Sequence, residues 1–424
     1  EHWGVKRLRH VGRYSNSGVD KKSYEDQQTV ELCNYTDVYY NEFINDDMPF
    51  MQATASSHEI EQFTLRKGDV IITKDSEDPS DIGIPAFVRH DMPGVVCGYH
   101  LTMIRALNDN YGSYIHRSLQ SAHTKAHFFV ESPGITRYGL NQNTIGNAPV
   151  ALPPPDEQAT IAAALDRETA RIDALVEKKT RFIELLKEKR QALITHAVTK
   201  GLDPNVNMKD SGIEWIGQVP EEWLNRKVFH AFQAIGSGTT PPSKEHEWYQ
   251  GGTIPWITTS ELRENTVVKT KKCVTSDAMQ KFSALKIFPA GSLAIAMYGA
   301  TIGRLGFLGI PATTNQACCV LSGERDLNIQ FLYYWLMAFR ADIVAFFSEG
   351  GGQPNINQEV IASLWVPSPA PDEQATIAAT LDRETARIDA LISKAEQSIT
   401  LLKERRAAFI TAAVTGQIDL RGKQ

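Results

Sequence analysis

Pro155–Asp203 reads PDEQATIAAALDRETARIDALVEKKTRFIELLKEKRQALITHAVTKGLD, and Pro371–Asp419 reads PDEQATIAATLDRETARIDALISKAEQSITLLKERRAAFITAAVTGQID, in register at a constant offset of 216. From Pro155 to Leu175 the only difference is Ala164 against Thr380. Each copy follows a long stretch of quite different sequence, so neither is a short solenoid unit. The chain is two half-molecules, each a variable globular region followed by a nearly invariant segment. A repeat of this kind predicts pseudo-twofold symmetry with two different working ends.

The repeated segment reads as a helix. Asp156 and Asp372 follow prolines and can cap the first backbone N–H groups, and Glu157 and Glu373 put negative charge in the first turn, where the helix dipole favours it. Apolar residues recur at heptad spacing: Leu165, Ile172, Leu186 and Leu193, joined by Ile161, Leu175 and Phe182. The second copy gives Leu381, Ile388, Leu402 and Phe409, joined by Ile377 and Leu391. An ordinary amphipathic helix packed on its own domain would account for one copy. Two copies, each about 42 residues and so roughly 63 Å long, are too long to bury such a stripe on one small domain. The expectation is that they pack on each other, antiparallel, as a spacer, and that Gly201 ends the first.

Composition narrows the class. The net charge is −6, and no segment is basic: the first 155 residues carry 14 Lys and Arg against 19 Asp and Glu. A nucleic-acid partner then requires local clustering of cations or phosphate neutralisation by another subunit. The five cysteines include no CxxC pair, so neither a zinc site nor a disulfide framework is indicated, and a reducing cytoplasm fits. With no signal peptide and no apolar run of 18 residues, a cytoplasmic protein without a membrane partner is expected. The opening Glu1-His2-Trp3 resembles Glu221-Glu222-Trp223, which follows DSGIEWIGQVP, and suggests that a matching N-terminal segment precedes residue 1.

The variable halves read as mixed α/β. Strand-like runs surround Ile254–Thr258 and Ser292–Met297, and a helical stretch follows at Ile329–Phe347, whose Phe331, Tyr333, Tyr334 and Trp335 read as core. Lys67–Lys74 occupies the place of Ala290–Met297, and the offset of 216 extends back to Asn141-Gln142 against Asn357-Gln358 and Ile145 against Ile361. The halves therefore share a scaffold and differ at their loops. In the second half these loops hold Thr239, Thr240, Ser243 and Lys244; Tyr298, Thr301 and Arg304; Thr313-Thr314-Asn315-Gln316; and Gln353 with Asn355. In the first half they hold Lys74, then Tyr99 and His100, then Arg137 and Tyr138. Asn and Gln can pair bidentately with adenine, Arg with guanine, and hydroxyls and cations with phosphates, so these are the candidate DNA-binding residues. Taken singly, such loops are also what ordinary turns look like.

No catalytic constellation is found. Gly299-Ala300-Thr301-Ile302-Gly303-Arg304 has neither the spacing nor the Lys of a phosphate loop, and Gly236-Ser237-Gly238 leads into Thr-Thr-Pro-Pro, not a dinucleotide-binding helix. His58-Glu59 lacks a second His four residues on, and Asp203-Pro204-Asn205-Val206 lacks the aromatic of an amino-methyltransferase loop. No catalytic and no metal residues are assigned.

The whole pattern resembles the specificity subunit of type I restriction–modification systems. The resemblance is carried by LPPPDEQATIA at 152–162, PAPDEQATIA at 369–378, the helix ends LLKEKRQALITHAVTKG and LLKERRAAFITAAVTG, and DSGIEWIGQVPEEW at 210–223. IPWITTSEL at 254–262, AMYGATIGRLGFLGIPATTNQACC at 296–319 and GGGQPNINQ at 350–358 add to it; the first variable half matches least. It implies an α+β fold: two mixed α/β target-recognition domains separated by two long antiparallel helices. The expected domains are 1–154, first target-recognition domain; 155–203, first conserved helix; 204–370, linker and second target-recognition domain; and 371–424, second conserved helix and tail. It further implies a non-catalytic chain that reads an asymmetric, bipartite site in double-stranded DNA. Two methyltransferase subunits would dock on it and methylate adenine N6, and two restriction subunits would join where cleavage accompanies modification. S-adenosylmethionine, ATP and Mg²⁺ would then serve the partner subunits, with no cofactor bound by this chain. The competing expectation is a coiled-coil scaffold without sequence-specific DNA binding.

Overall fold

The computed structural model describes residues 2–108, 111–348 and 355–420. The chain divides into two compact units: unit 1 is Glu1–Arg181 with Ala395–Gln424, and unit 2 is Phe182–Lys394.

In unit 1 a five-stranded sheet runs in the order Gly12–Asn16, Leu101–Ala106, Val70–Thr73, Pro85–Val88, Phe43–Ile44, antiparallel except for the last pair. Its central strand is buried at all four positions, because both faces are covered. Alternation divides the strand between two cores: Val70 and Ile72 face a core shared with the long helices, and Ile71 faces a second core shared with a three-stranded sheet. That smaller sheet has Gln28–Cys33 at its centre, antiparallel to Met51–Ala55 and parallel to Val95–Cys97. A separate pair, Gly4–Arg7 with Pro149–Leu152, closes the unit.

Unit 2 repeats this plan. Its five-stranded sheet runs Phe232–Ser237, Cys318–Glu324, Leu293–Ala296, Leu305–Leu308, Asn265–Val267, again with only the last pair parallel. Leu293 and Ile295 face one core, Ala294 and Ala296 the other. Ile254–Ile257 centres a three-stranded sheet, antiparallel to Lys272–Val274 and parallel to Thr313–Thr314. Leu224–Lys227 pairs with Trp365–Ser368. The alignment of Lys67–Lys74 with Ala290–Met297 thus holds as the same central strand in both units. Asn141 and Asn357, matched by the offset of 216, both cap short helices, accepting from Thr144 N at 2.9 Å and Val360 N at 2.8 Å.

The invariant segments are helices, Pro155–Lys200 and Pro371–Val414. In unit 1 the start of the first meets the end of the second: Ile161, Leu165, Ile410 and Val414 share a core, and Glu168 and Asp173 pair with Arg405 at 3.2 Å and Arg406 at 3.0 Å. In unit 2 the end of the first meets the start of the second: Ile194 and Val198 share a core with Ile377 and Leu381, and Arg190 pairs with Asp389 at 3.0 Å. The helices are therefore antiparallel, as expected.

Three expectations need correction. Leu175, Phe182 and Leu391, taken as seam residues, are 39%, 46% and 41% exposed. Ile172, Leu186 and Ile388 are buried as expected, but the second row of the first helix runs through Ile183, one residue on from Phe182, because a strict heptad spacing drifts on a straight helix. Asp156 and Asp372 do not cap: Gln158 N and Gln374 N donate to Pro154 O and Ala370 O, so Pro155 and Pro371 open the helices and the aspartates lie inside the first turn. Finally, Ile329–Phe347 is not one helix but two, Ile329–Ala338 and Arg340–Phe347, divided at Phe339. Its four aromatics are buried, as expected.

Candidate nucleic-acid interface

In unit 1 the central strand runs out at Thr73, and three loops converge there through backbone bonds. Lys74 N donates to His100 O at 3.0 Å, and Leu140 N donates to Lys74 O at 2.7 Å. Asp75–Ser76 pairs with Tyr138–Gly139. Lys74, Tyr99, His100 and Arg137 thus come together, and Tyr138 joins them through its strand while its ring packs on the core below. Lys74 Nζ lies 4.7 Å from the centre of the Tyr99 ring, which meets His100 edge-on at 4.3 Å. His100 Nδ1 is 2.7 Å from Asp75 Oδ2 and 3.1 Å from Arg137 Nη2.

Two kinds of residue here escaped the sequence reading. Asp75, Asp78 and Asp81 line the same cavity as His100 and Arg137, as do Tyr35 and Tyr39. Tyr35 and Tyr39 stack at 5.5 Å, and Tyr39 donates to Asp81. Burial, then the Asp81 charge, pushes the Tyr35 phenol up; the hydrogen bond to Asp81, then its charge, pushes Tyr39 up to about 12. Both remain protonated donors. The i,i+4 spacing of these tyrosines was the one available signal.

In unit 2 the equivalent strand end carries Tyr298, which bridges to Asn355, as Asp75 pairs with Gly139 in unit 1. Gln316 is the hub: it accepts from Thr240 Oγ1 and bonds the Tyr298 hydroxyl, whose pKa is nonetheless raised by burial and then by the Cys318 thiol. Gly238 N donates to Thr314 Oγ1 at 3.0 Å, and Trp256 Nε1 holds Thr239 O at 3.1 Å. Thr301 closes a tight turn by accepting from Arg304 N at 3.0 Å, which leaves Arg304 half-buried beside it. Thr239, Thr240, Tyr298 and Asn355 are thus brought together. Ser243 and Lys244 are exposed on the following turn, apart from the hydrogen bonds that join that cluster. Gln353 lies outside the described residues. Gln316, seen in the sequence only as part of a loop, was the residue missed.

Among the described residues no three His, Cys, Asp or Glu side chains are placed to hold a metal ion, and no helix is long and apolar enough to cross a membrane. Fold and sites together define a class: an internally duplicated protein that presents two chemically different polar loop clusters from the same place on two copies of one scaffold. The chain matches the family model for the type I restriction modification DNA specificity domain twice, over residues 1–185 and 220–401, and it belongs to that family.

Relatives include the type I restriction enzyme MjaIX specificity subunit of Methanocaldococcus jannaschii, 29% identical over 39% of this chain and 38% of that protein. The EcoR124I/EcoR124II specificity subunit of Escherichia coli is 24% identical over 43% of each. The chain therefore spans less than half the length of each of these two. The putative MjaX specificity subunit of M. jannaschii is 21% identical over 99% of this chain and 95% of the relative. Among solved structures, a chain from a study of complex assembly and conformational transition of the type I R-M system shares the fold at a TM-score of 0.74 and 16% identity, over 97% of both chains. The HsdS subunit from Thermoanaerobacter tengcongensis does so at 0.57 and 17%, over 98% of this chain and 97% of that one.

Proposed function

We propose that this chain is the non-catalytic DNA-recognition subunit of a type I restriction–modification complex, each unit reading one half of a bipartite, non-palindromic site. The observation that carries the reading is the double family match laid over two sheets of identical strand order whose corresponding ends bear different side chains. Same scaffold with different loops means two targets of one kind. Each unit alone would bind weakly, and linking them makes the second contact intramolecular. Lys74, Tyr99, His100, Arg137 and Tyr138 form the candidate surface of unit 1; Thr239, Thr240, Tyr298, Thr301, Arg304 and Asn355 form that of unit 2, with Ser243 and Lys244 on the adjoining turn, and Gln353 is a candidate from the sequence alone.

The net charge of −6 fits a chain that does not neutralise its DNA alone. Two methyltransferase subunits would dock on it and carry S-adenosylmethionine and the pocket for the extruded adenine. Restriction subunits would bring ATP and Mg²⁺ chemistry. The test is methyl transfer to DNA by the purified chain, alone and with its cognate methyltransferase subunit. Transfer should appear only in the complex, at one asymmetric bipartite motif. Transfer by the chain alone, or methylation without a bipartite motif, overturns the reading.

A further inference from the structure

The cluster at the end of the central strand of unit 1 has a hydrogen-bonding conflict. His100 Nδ1 is 2.7 Å from Asp75 Oδ2, and an ionised carboxylate only accepts, so Nδ1 carries the proton and donates to it. Arg137 Nη2 lies 3.1 Å from that same Nδ1 and 4.0 Å from Asp75 Oδ2. A guanidinium only donates, so it cannot bond a nitrogen that is itself donating. Charge keeps Arg137 near Asp75, but among the described residues no acceptor lies within hydrogen-bond distance of its fork apart from that occupied nitrogen, and its side chain is 59% exposed. His100 holds this geometry from a left-handed backbone, φ 62°, which a residue other than glycine adopts at a cost.

The ligand this fork suits is set by its surroundings. Asp75, Glu77, Asp78 and Asp81 line the cavity beside it. A backbone phosphate brought there would meet four carboxylates, whereas the neutral O6 and N7 acceptors of guanine would not be repelled, and they match a guanidinium fork in bidentate fashion. Unit 2 has no such device: Tyr298 stands where Asp75 does, paired to its loop in the same way, and Ala317 precedes the strand residue Cys318 as His100 precedes Leu101.

We infer that Arg137 reads a guanine in the half-site of unit 1, with Asp75 and His100 as its positioning residues. The inference rests on the reading of this chain as a DNA-recognition subunit. The test uses the full chain with its cognate methyltransferase subunit, carrying R137A, R137K, D75N or H100A, with methylated sites sequenced and rates measured at each motif variant. Both Arg137 variants should lower the preference for one G·C pair, in the half of the motif that belongs to unit 1, by roughly 10–100-fold. D75N and H100A should relax the same position by less, and no other.

A uniform fall at all sites, relaxation at an A·T pair, or Asp75 and His100 variants acting at a different position from Arg137 would each overturn the assignment. R137K, which keeps charge and bulk, guards against a folding defect in R137A. If the wild-type complex methylates no bipartite motif, the DNA-recognition reading falls and takes this one with it. If the motif is bipartite but its unit 1 half lacks a G·C pair, only the Arg137 assignment falls.

Discussion

Arg117 and Tyr334 show how one repeated helix surface is met by two different side chains. Asp166 and Thr169 of the first helix, and Asp382 and Thr385 of the second, are the same residues of the repeat. In unit 1 they are met by Arg117, 1% exposed, which donates to Asp166 at 2.6 Å and Thr169 at 3.1 Å and also to Glu42. In unit 2 they are met by Tyr334, whose hydroxyl donates to Asp382 at 2.6 Å and lies 3.3 Å from Thr385 Oγ1. Arg117→Ala should therefore destabilise unit 1 by about 3 kcal/mol, the lower end for breaking a buried ion pair, because Asp166 keeps contact with water. Tyr334→Phe should cost unit 2 about 1.5–3 kcal/mol, the worth of a hydrogen bond to a charged acceptor, and less if the carboxylate then turns to water. Urea unfolding of the two variants measures both.

Beside Arg117, His116 lies buried between Phe43 and Phe87. Burial, then the Arg117 charge, holds its pKa down to about 3. The unfolded chain binds that proton near pH 6.5 and the folded chain does not, so stability falls as pH falls from about 6.5 toward 3. The slope for this one group is at most about 1.4 kcal/mol per pH unit. Glu42 acts in the same direction at lower pH: burial raises its pKa, but Arg117 and Arg406 more than offset that, leaving it lowered. His116→Gln should flatten the decline between pH 6 and 4.5, read from unfolding midpoints; an unchanged slope would show that His116 is not its source.

The elements are held by their ends. Gln158 and Gln374, the last letters of the repeated PDEQ, are buried, and their Nε2 groups donate to Pro153 O at 2.7 Å and Pro369 O at 2.8 Å, pinning the chain that leads into each helix. At the other end Gly201 follows the first helix with φ 74°, where an added Cβ would lie 3.3 Å from Glu373 Oε1 and 3.6 Å from Trp223. Gly201→Ala should cost about 1–2 kcal/mol, since an L side chain is strained there. Gly201→Asn should cost less, because asparagine tolerates this conformation. Thermal denaturation of the pair is the check, and equal losses would point to crowding by Glu373 and Trp223 rather than backbone strain. Gly416 repeats the device after the second helix, with φ 72° and a Trp3 ring that an added Cβ would meet at 3.2 Å, one position earlier in the repeat than Gly201.

At the scale of the molecule, each unit closes on a strand pair drawn from the two ends of its variable region, Leu224–Lys227 with Trp365–Ser368 in unit 2. An exchange of specificity that cuts between these strands would leave one without its partner. Replacing 224–368 as a block with the matching segment of a relative should change one half of the methylated motif and leave the other as it was. Methylome sequencing of the chimera decides it: if both halves change together, the units do not read independently.

The repeat, the helices and the shared scaffold were legible in the sequence because each is a matter of periodicity and register, which a linear string records. The central strand was legible for the same reason: Val70–Ile72 and Leu293–Ala296 are continuous apolar runs at matching places. Which of the heptad residues are buried was only partly legible: Ile172, Leu186 and Ile388 are buried, but Leu175, Phe182 and Leu391 turn outward, Phe182 beside the buried Ile183. The partners within the sites were not legible. The pairing of Asp75 with His100 and of Gln316 with Thr240 and Tyr298 joins residues 25, 76 and 18 positions apart. Only the order of strands in the sheet brings those loops to one edge, so only the tertiary structure could decide what each candidate side chain touches.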